Sequence, residues 1–262
     1  TMLVTCATDG IGRQTALELV RRGARVLVHG RDPEKTARTA EALAKDGRAE
    51  PLVADLASLA QVRQLAREVE GRTGQLDVLL NNAGVFMNER RLTADGFETT
   101  FAVNHLAPFL LTNLLRPLLE RTPGARVVTV SSVAHHRGQL DFGNLQGERR
   151  FDGYGAYALS KLANVLFTLE LAERLAGSGV TANCLHPGVI TTKLLKAGFG
   201  MSGAPVASGA ATSVYLATSD EVRGVSGKYF ADCQEAPLAP AAGDADARRR
   251  LWDESARLVG LA

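Results

Sequence analysis

The chain has 262 residues, and 30 basic against 28 acidic side chains leave a formal net charge of +2. That balance gives no reason for nucleic acid or an anionic membrane to be the main partner, so a small molecule is the expected one. Cys6, Cys184 and Cys233 are odd in number and widely spaced, which excludes a readable disulfide framework or CxxC metal site and fits a reduced, cytoplasmic setting with no metal.

Short β-branched apolar runs alternate with longer helical patterns: residues 2–5 then 11–22, 25–28 then 33–45, and 50–53 then 59–72. The series continues with "LDVLLNNAG" at 76–84, a long helix around 96–120, "ARVVTVSS" at 125–132, a helix around 156–175 and "VTANCLHPG" at 180–188. Strand, helix, strand in repetition implies parallel strands joined by right-handed crossovers, and continuously apolar strands imply a sheet covered on both faces. The expectation is one doubly wound, Rossmann-type α/β domain over residues 1–262, its mostly parallel sheet having about seven strands and ending at "GKYFA", 227–231. A helix around 244–258 closes the chain, and the Ala/Pro-rich stretch 234–245 reads as a surface connection. No apolar run reaches the roughly 18 residues of a membrane helix, so no membrane association is expected.

The loop "TCATDGIG", residues 5–12, joins the first strand to the first helix. Gly10 and Gly12 allow a tight turn and close approach of the backbone to a pyrophosphate, which the helix N-terminus would face. Cys6 stands where a first glycine is expected, and its Cβ would be strained if a positive φ is required there. The second strand ends in "VLVHGRD", where an NAD enzyme commonly carries a carboxylate for the adenosine ribose. Gly30 occupies that place and Arg31 follows, which suits a 2′-phosphate and favours NADP(H) over NAD(H). Arg13 is a second candidate phosphate partner, while the nearby Asp32 argues the other way.

In "YGAYALSK", Tyr157 and Lys161 are four apart and so neighbours on one helix face. An adjacent ammonium favours the phenolate, bringing the proton of an otherwise weak acid within reach near neutrality.

These motifs, with "NNAG" at 81–84, Asn104 in "FAVNHL", Ser132 in "VVTVSS" and "HPG" at 186–188, occur in the order seen in short-chain dehydrogenases/reductases, and the resemblance runs essentially end to end. "SSVAHHRGQLDFGNLQGE", "SKLANVLFTLELAERL" and "GKYFADC" are similar to the retinol dehydrogenase-like branch. The resemblance implies that Tyr157 is the general acid or base and that Ser132, or Ser131 if the register shifts by one, holds the substrate oxygen. Lys161 would hold the nicotinamide ribose, and Asn104 would support a water that relays protons to Lys161. Thr8, Asp9, Gly10, Ile11 and Gly12 would bind the cofactor together with Arg31, Asp55 and Leu56, the aspartate toward the adenine. Asn82, Ala83 and Gly84 would line the cofactor, and Pro187, Gly188, Ile190 and Thr192 would hold its carboxamide. Homodimers and homotetramers are common assemblies in the family. A nucleotide-binding sensor without catalysis, or a dehydratase or epimerase on the same scaffold, are the alternatives.

Several further features have two readings. His135 and His136 follow Ser132 without metal-ligand company and read as loop histidines at the edge of a pocket. His186 reads as structural, restrained by Pro187. Phe86, Met87, Leu140, Phe142, Leu194, Phe199 and Met201 lie near strand ends, where pockets form, with core packing the alternative for each. Residues 191–208, with three glycines, are read as a lid.

Overall fold

A computed structural model describes residues 1–261. In chain order the elements begin β1 (Met2–Val4), α1 (Gly10–Arg21), β2 (Arg25–Gly30), α2 (Pro33–Ala44), β3 (Arg48–Val53), α3 (Leu59–Arg72) and β4 (Val78–Asn81). A helix interrupted by a π-helical turn follows, as α4 (Thr99–Phe101), the turn Ala102–Leu106 and α5 (Ala107–Glu120). The remainder is β5 (Arg126–Val130), α6 (Gly153–Arg174), β6 (Thr181–His186), α7 (Lys193–Phe199), α8 (Val206–Thr218), β7 (Lys228–Ala231), β8 (Gln234–Glu235) and α9 (Ala245–Leu258).

The strands form one sheet in the order β3-β2-β1-β4-β5-β6-β7-β8, parallel except for the last pair. The order reverses between β1 and β4, so a crevice opens there at the carboxyl ends of the strands. One face of the sheet is buried under α3, α5, α6 and α9, with Leu79, Leu106, Phe109 and Leu166 in its core. The other lies under α1, α2 and α8, through Leu19, Val28, Leu80 and Leu216. Trp252 of α9 anchors the C-terminal helix, its ring 4.9 Å from Phe109 and 5.9 Å from Phe167.

The sheet has eight strands where about seven were expected, and the added one lies in the stretch read as a surface connection. Asp232 and Cys233 both have positive φ, 50° and 61°, which is the backbone of a two-residue hairpin turn, so the chain doubles back as an antiparallel edge. Farther along, Ala239 and Ala242 are buried, so only part of 234–245 lies on the surface. Their methyl side chains are small enough to enter the core there, which Ala/Pro content does not reveal.

Candidate active site

Loops following β1, β4, β5 and β6 line a cleft of about 1100 Å³. Gly10, Gly12, Asn82 and Gly84 lie on it, as do Ser132, Tyr157 and Lys161 and the run Pro187, Gly188, Ile190 and Thr192. Arg31 and Asp55 stand outside it, just past the ends of β2 and β3, while Leu56 is buried in the core.

The loop after β1 is held from below. Thr5 Oγ1 accepts from the N–H groups of Asn82 and Ala83, at 2.9 and 3.1 Å, joining the glycine loop to the "NNAG" turn. Asn82 Nδ2 donates back to the Thr5 carbonyl at 2.9 Å. At Gly12 a Cβ would fall 2.4 Å from both Asn82 Nδ2 and the Cys6 carbonyl oxygen, so only glycine lets α1 come this close. Cys6 does take the left-handed conformation, at φ 50°. Its N–H donates to His29 Nδ1 at 3.1 Å, and His29 Nε2 donates in turn to the Ala54 carbonyl at 3.0 Å. His29 thus ties the turn to the end of β3 as a neutral ring, its pKa pushed down to about 4 by burial. Burial pushes the Cys6 thiol up to about 11, so it stays protonated and unreactive near neutrality.

Asp9 caps α1 by accepting from Gly10 N–H at 2.9 Å. Its carboxylate also pairs with Lys35 at 2.9 Å and Lys193 at 2.7 Å, which hold its pKa far below the usual carboxylate range. The Lys193 pair connects the glycine loop to α7 across the cleft.

At the end of β2, Gly30 is a packing requirement. A Cβ there would sit 2.3 Å from Thr36 Oγ1 and 2.4 Å from Thr8 Cγ2. Asp32 is engaged at the N-terminus of α2, accepting from Lys35 N–H at 2.8 Å. Arg31 is exposed and has no ion pair among the described residues.

The two serines after β5 separate cleanly. Ser131 is buried and donates to the Lys161 carbonyl at 2.8 Å, locking α6 to the strand. Ser132 lines the cleft with Tyr157, and its hydroxyl accepts from Ala134 N–H at 3.2 Å. His135 braces this turn: Nδ1 donates to the Ser132 carbonyl at 2.7 Å and Nε2 accepts from Ala239 N–H at 3.1 Å. It is buried and its pKa is pushed down to about 4, so it is a neutral brace and not a pocket edge, whereas His136 does line the cleft.

Tyr157 and Lys161 project from α6 side by side, with Lys161 Nζ 5.6 Å from the phenol ring centroid. Lys161 donates to the Val130 carbonyl at 3.1 Å and is lowered to about 8 by burial. The sequence suggested that this ammonium lowers the phenol, but burial dominates and Tyr157 is pushed up to about 12. The lysine is itself desolvated and directed to a backbone carbonyl, so it offers the ring little compensating field.

Asn104 sits in the π-helical turn, a distortion often found at functional sites. Its amide clamps Val85, accepting from the N–H at 2.8 Å and donating to the carbonyl at 3.0 Å, and also reaches Ser160 Oγ at 3.0 Å. It therefore joins the "NNAG" turn to α6. Gly84 keeps the adjoining space open, since a Cβ there would meet Lys161 Nζ at 3.5 Å and Asn104 Oδ1 at 3.9 Å.

Tyr157 is packed by aromatic rings. Phe86 and Phe199 have ring centroids 4.9 Å apart and lie 5.7 and 5.8 Å from that of Tyr157. Leu194 and Met201 extend this apolar wall, while Leu140 and Phe142 pack on the main core instead. The residues whose role the sequence did not show are therefore braces, namely His29, His135 and Thr5. The sole signal was their placement next to the motifs.

A family model described as short chain dehydrogenase matches residues 1–200. Retinol dehydrogenase 14 of Homo sapiens is 44% identical over 291 aligned positions, covering 100% of this chain and 86% of its own length. An uncharacterised protein from Mycobacterium paratuberculosis has a similar solved structure, with a TM-score of 0.84 at 36% identity over 99% of this chain and 92% of that one. The Pseudomonas aeruginosa RhlG/NADP active-site complex has a TM-score of 0.74 at 27% identity, over 87% of this chain and 93% of that one. The chain belongs to the short-chain dehydrogenase family, in its retinol dehydrogenase-like branch, and is an oxidoreductase acting on CH–OH groups.

Proposed function

We propose that the protein uses NADP(H) to interconvert a carbonyl and an alcohol on a fairly apolar small molecule, with Tyr157 as general acid or base. The observation that carries this reading is the convergence of Ser132, Tyr157 and buried Lys161 on one cleft, walled by the glycine loop and by Leu194, Phe199 and Met201. The cleft fits a dinucleotide: Gly10 and Gly188 have positive φ, 51° and 91°, and with Gly12 they present backbone instead of side chains to a ligand. Arg31 would take a 2′-phosphate, and two features support it, the absence of any side chain at Gly30 and the engagement of Asp32 with α2.

When bound, the nicotinamide supplies or accepts the hydride. Ser132 and Tyr157 then act as two fixed donors to the oxygen on which negative charge develops. A phenol near 12 is protonated throughout the neutral range, so Tyr157 is ready to donate during reduction, and the proton loss needed for oxidation is favoured by alkaline conditions. Lys161, at about 8, is placed to balance the phenolate left behind. Asn104 keeps Val85 and α6 in register so that this group of side chains does not drift.

The test is titration with NADPH and NADH followed by a panel of aldehydes and ketones, on the wild type and Tyr157→Phe. Tighter binding of NADPH and turnover of apolar carbonyls are expected, with kcat/KM lowered by about a thousandfold in Tyr157→Phe. Equal turnover by the variant would remove Tyr157 from the chemistry.

A further inference from the structure

We infer that Phe199 is a size filter at the catalytic phenol, admitting carbonyl compounds with one small flank, a hydrogen or a methyl group, and turning away those with longer chains on both sides. This rests on the reductase reading of the cleft and specifies which carbonyls it takes.

The cleft is wide, at about 1100 Å³, yet Tyr157 is only 8% exposed within it. The opening at the phenol is therefore far narrower than the space beside it, and whatever covers Tyr157 decides what reaches it. Ala134 and Ala158 form one buried cluster with Tyr157 and offer only methyl groups, while Phe86, Leu194 and Phe199 pack against that cluster.

The two phenylalanine rings lie at nearly equal distances from Tyr157 but differ in what holds them. Phe86 is outside the cleft lining and is wedged in place: a Cβ at Gly198 would fall 2.9 Å from its Cγ, and one at Gly153 would fall 3.3 Å from its Cε1. Phe199 lines the cleft and is half-buried. Its ring meets Tyr157 at 5.8 Å and 73° and Tyr154 at 6.0 Å and 89°, both edge-to-face, and Phe86 at 4.9 Å. It is the last residue of α7, and Gly200 takes the left-handed conformation at φ 63°, which ends the helix at this ring. Glycine is unfavourable inside a helix, and at Gly198 it lets α7 come down onto Phe86 and bring Phe199 against the phenol ring.

A ring packed against three others cannot shift without losing those contacts, so a second long chain on the carbonyl carbon competes with Phe199 for the same space. A hydrogen or methyl flank asks for no such shift.

The experiment compares 2-octanone with 4-octanone, isomers of equal apolar content, using the reduced cofactor and the wild type, Phe199→Leu and Phe199→Ala. For the wild type, kcat/KM for 2-octanone is expected to exceed that for 4-octanone by about tenfold or more. In Phe199→Ala the ratio should fall to within about twofold of one through a gain on 4-octanone, with Phe199→Leu between the two. Both ketones are compared on the same variant, so general damage cancels. Calorimetric binding of 2-octanol and 4-octanol to the protein loaded with reduced cofactor, which cannot take a hydride from an alcohol, reads the same preference without turnover. Equal kcat/KM and equal binding of the isomers in the wild type would overturn the inference, as would a ratio left unchanged in Phe199→Ala. Preferential binding of 2-octanol that depends on Phe199, with no reduction of either ketone, would uphold the filter and reject the reductase reading.

Discussion

Adding a single methyl group at Gly30 tests both the packing of the second strand and the basis of cofactor choice. In Gly30→Ala the new Cβ would fall 2.3 Å from Thr36 Oγ1 and 2.4 Å from Thr8 Cγ2. Thr36 is fully buried and its hydroxyl donates to the Asp32 carbonyl at 2.6 Å, so it cannot turn away without breaking that bond. Overpacking of this kind costs about 1–3 kcal/mol. At about 2 kcal/mol and roughly 2–4 °C per kcal/mol for a chain of this size, Tm should drop by roughly 4–8 °C. Gly30→Asp adds the same Cβ and also a carboxylate at the place where NAD enzymes carry one. Thermal melts with and without each cofactor, together with NADPH and NADH dissociation constants for both variants, separate the two effects. The alanine variant should lose stability and weaken both cofactors alike, whereas the aspartate variant should shift the NADPH to NADH ratio against NADPH by a further tenfold or so, about 1.4 kcal/mol. A Gly30→Ala protein melting within about a degree of the wild type would refute the packing argument. A Gly30→Asp protein with an unchanged cofactor ratio would refute the charge argument.

Cys6→Gly should relieve the left-handed strain at φ 50° and tighten NADPH binding by about 1 kcal/mol, and an unchanged or weaker dissociation constant would show that the loop accommodates the side chain. His29, His105 and His135 are held neutral with pKa values near 4, against 6.5 when unfolded. Between those values the unfolded chain binds protons that the folded chain does not, so stability should fall as pH drops from about 6.5 toward 4, by an amount on the order of 3 kcal/mol for each of the fully buried His29 and His105. Urea midpoints measured across that range check this, and a flat profile would contradict it. Amide exchange in residues 191–208 should slow when NADPH and substrate bind, because the ion pair that tethers α7 to the glycine loop, Lys193–Asp9, is exposed. Exchange that stays fast in the complex would count against a lid.

Much of this protein is legible in the chain alone, because its signals are local. A strand, a glycine turn and a helix are adjacent in sequence, so "TCATDGIG" declares both the first crossover and the nucleotide loop. Tyr157 and Lys161 are neighbours through helix geometry alone. Tertiary structure decided what depends on residues distant in the chain. It assigned Ser131 to Lys161 and left Ser132 free for the cleft. Gly30 became a steric necessity only when Thr36 and Thr8 were brought against it, and His135 became a brace only when Ala239 reached its ring. The phenol's acidity shows the difference most plainly. Spacing gave Tyr157 a cationic neighbour, but burial raises the phenol and lowers the lysine together, because desolvation is set by the whole surrounding fold and not by any two positions in the sequence.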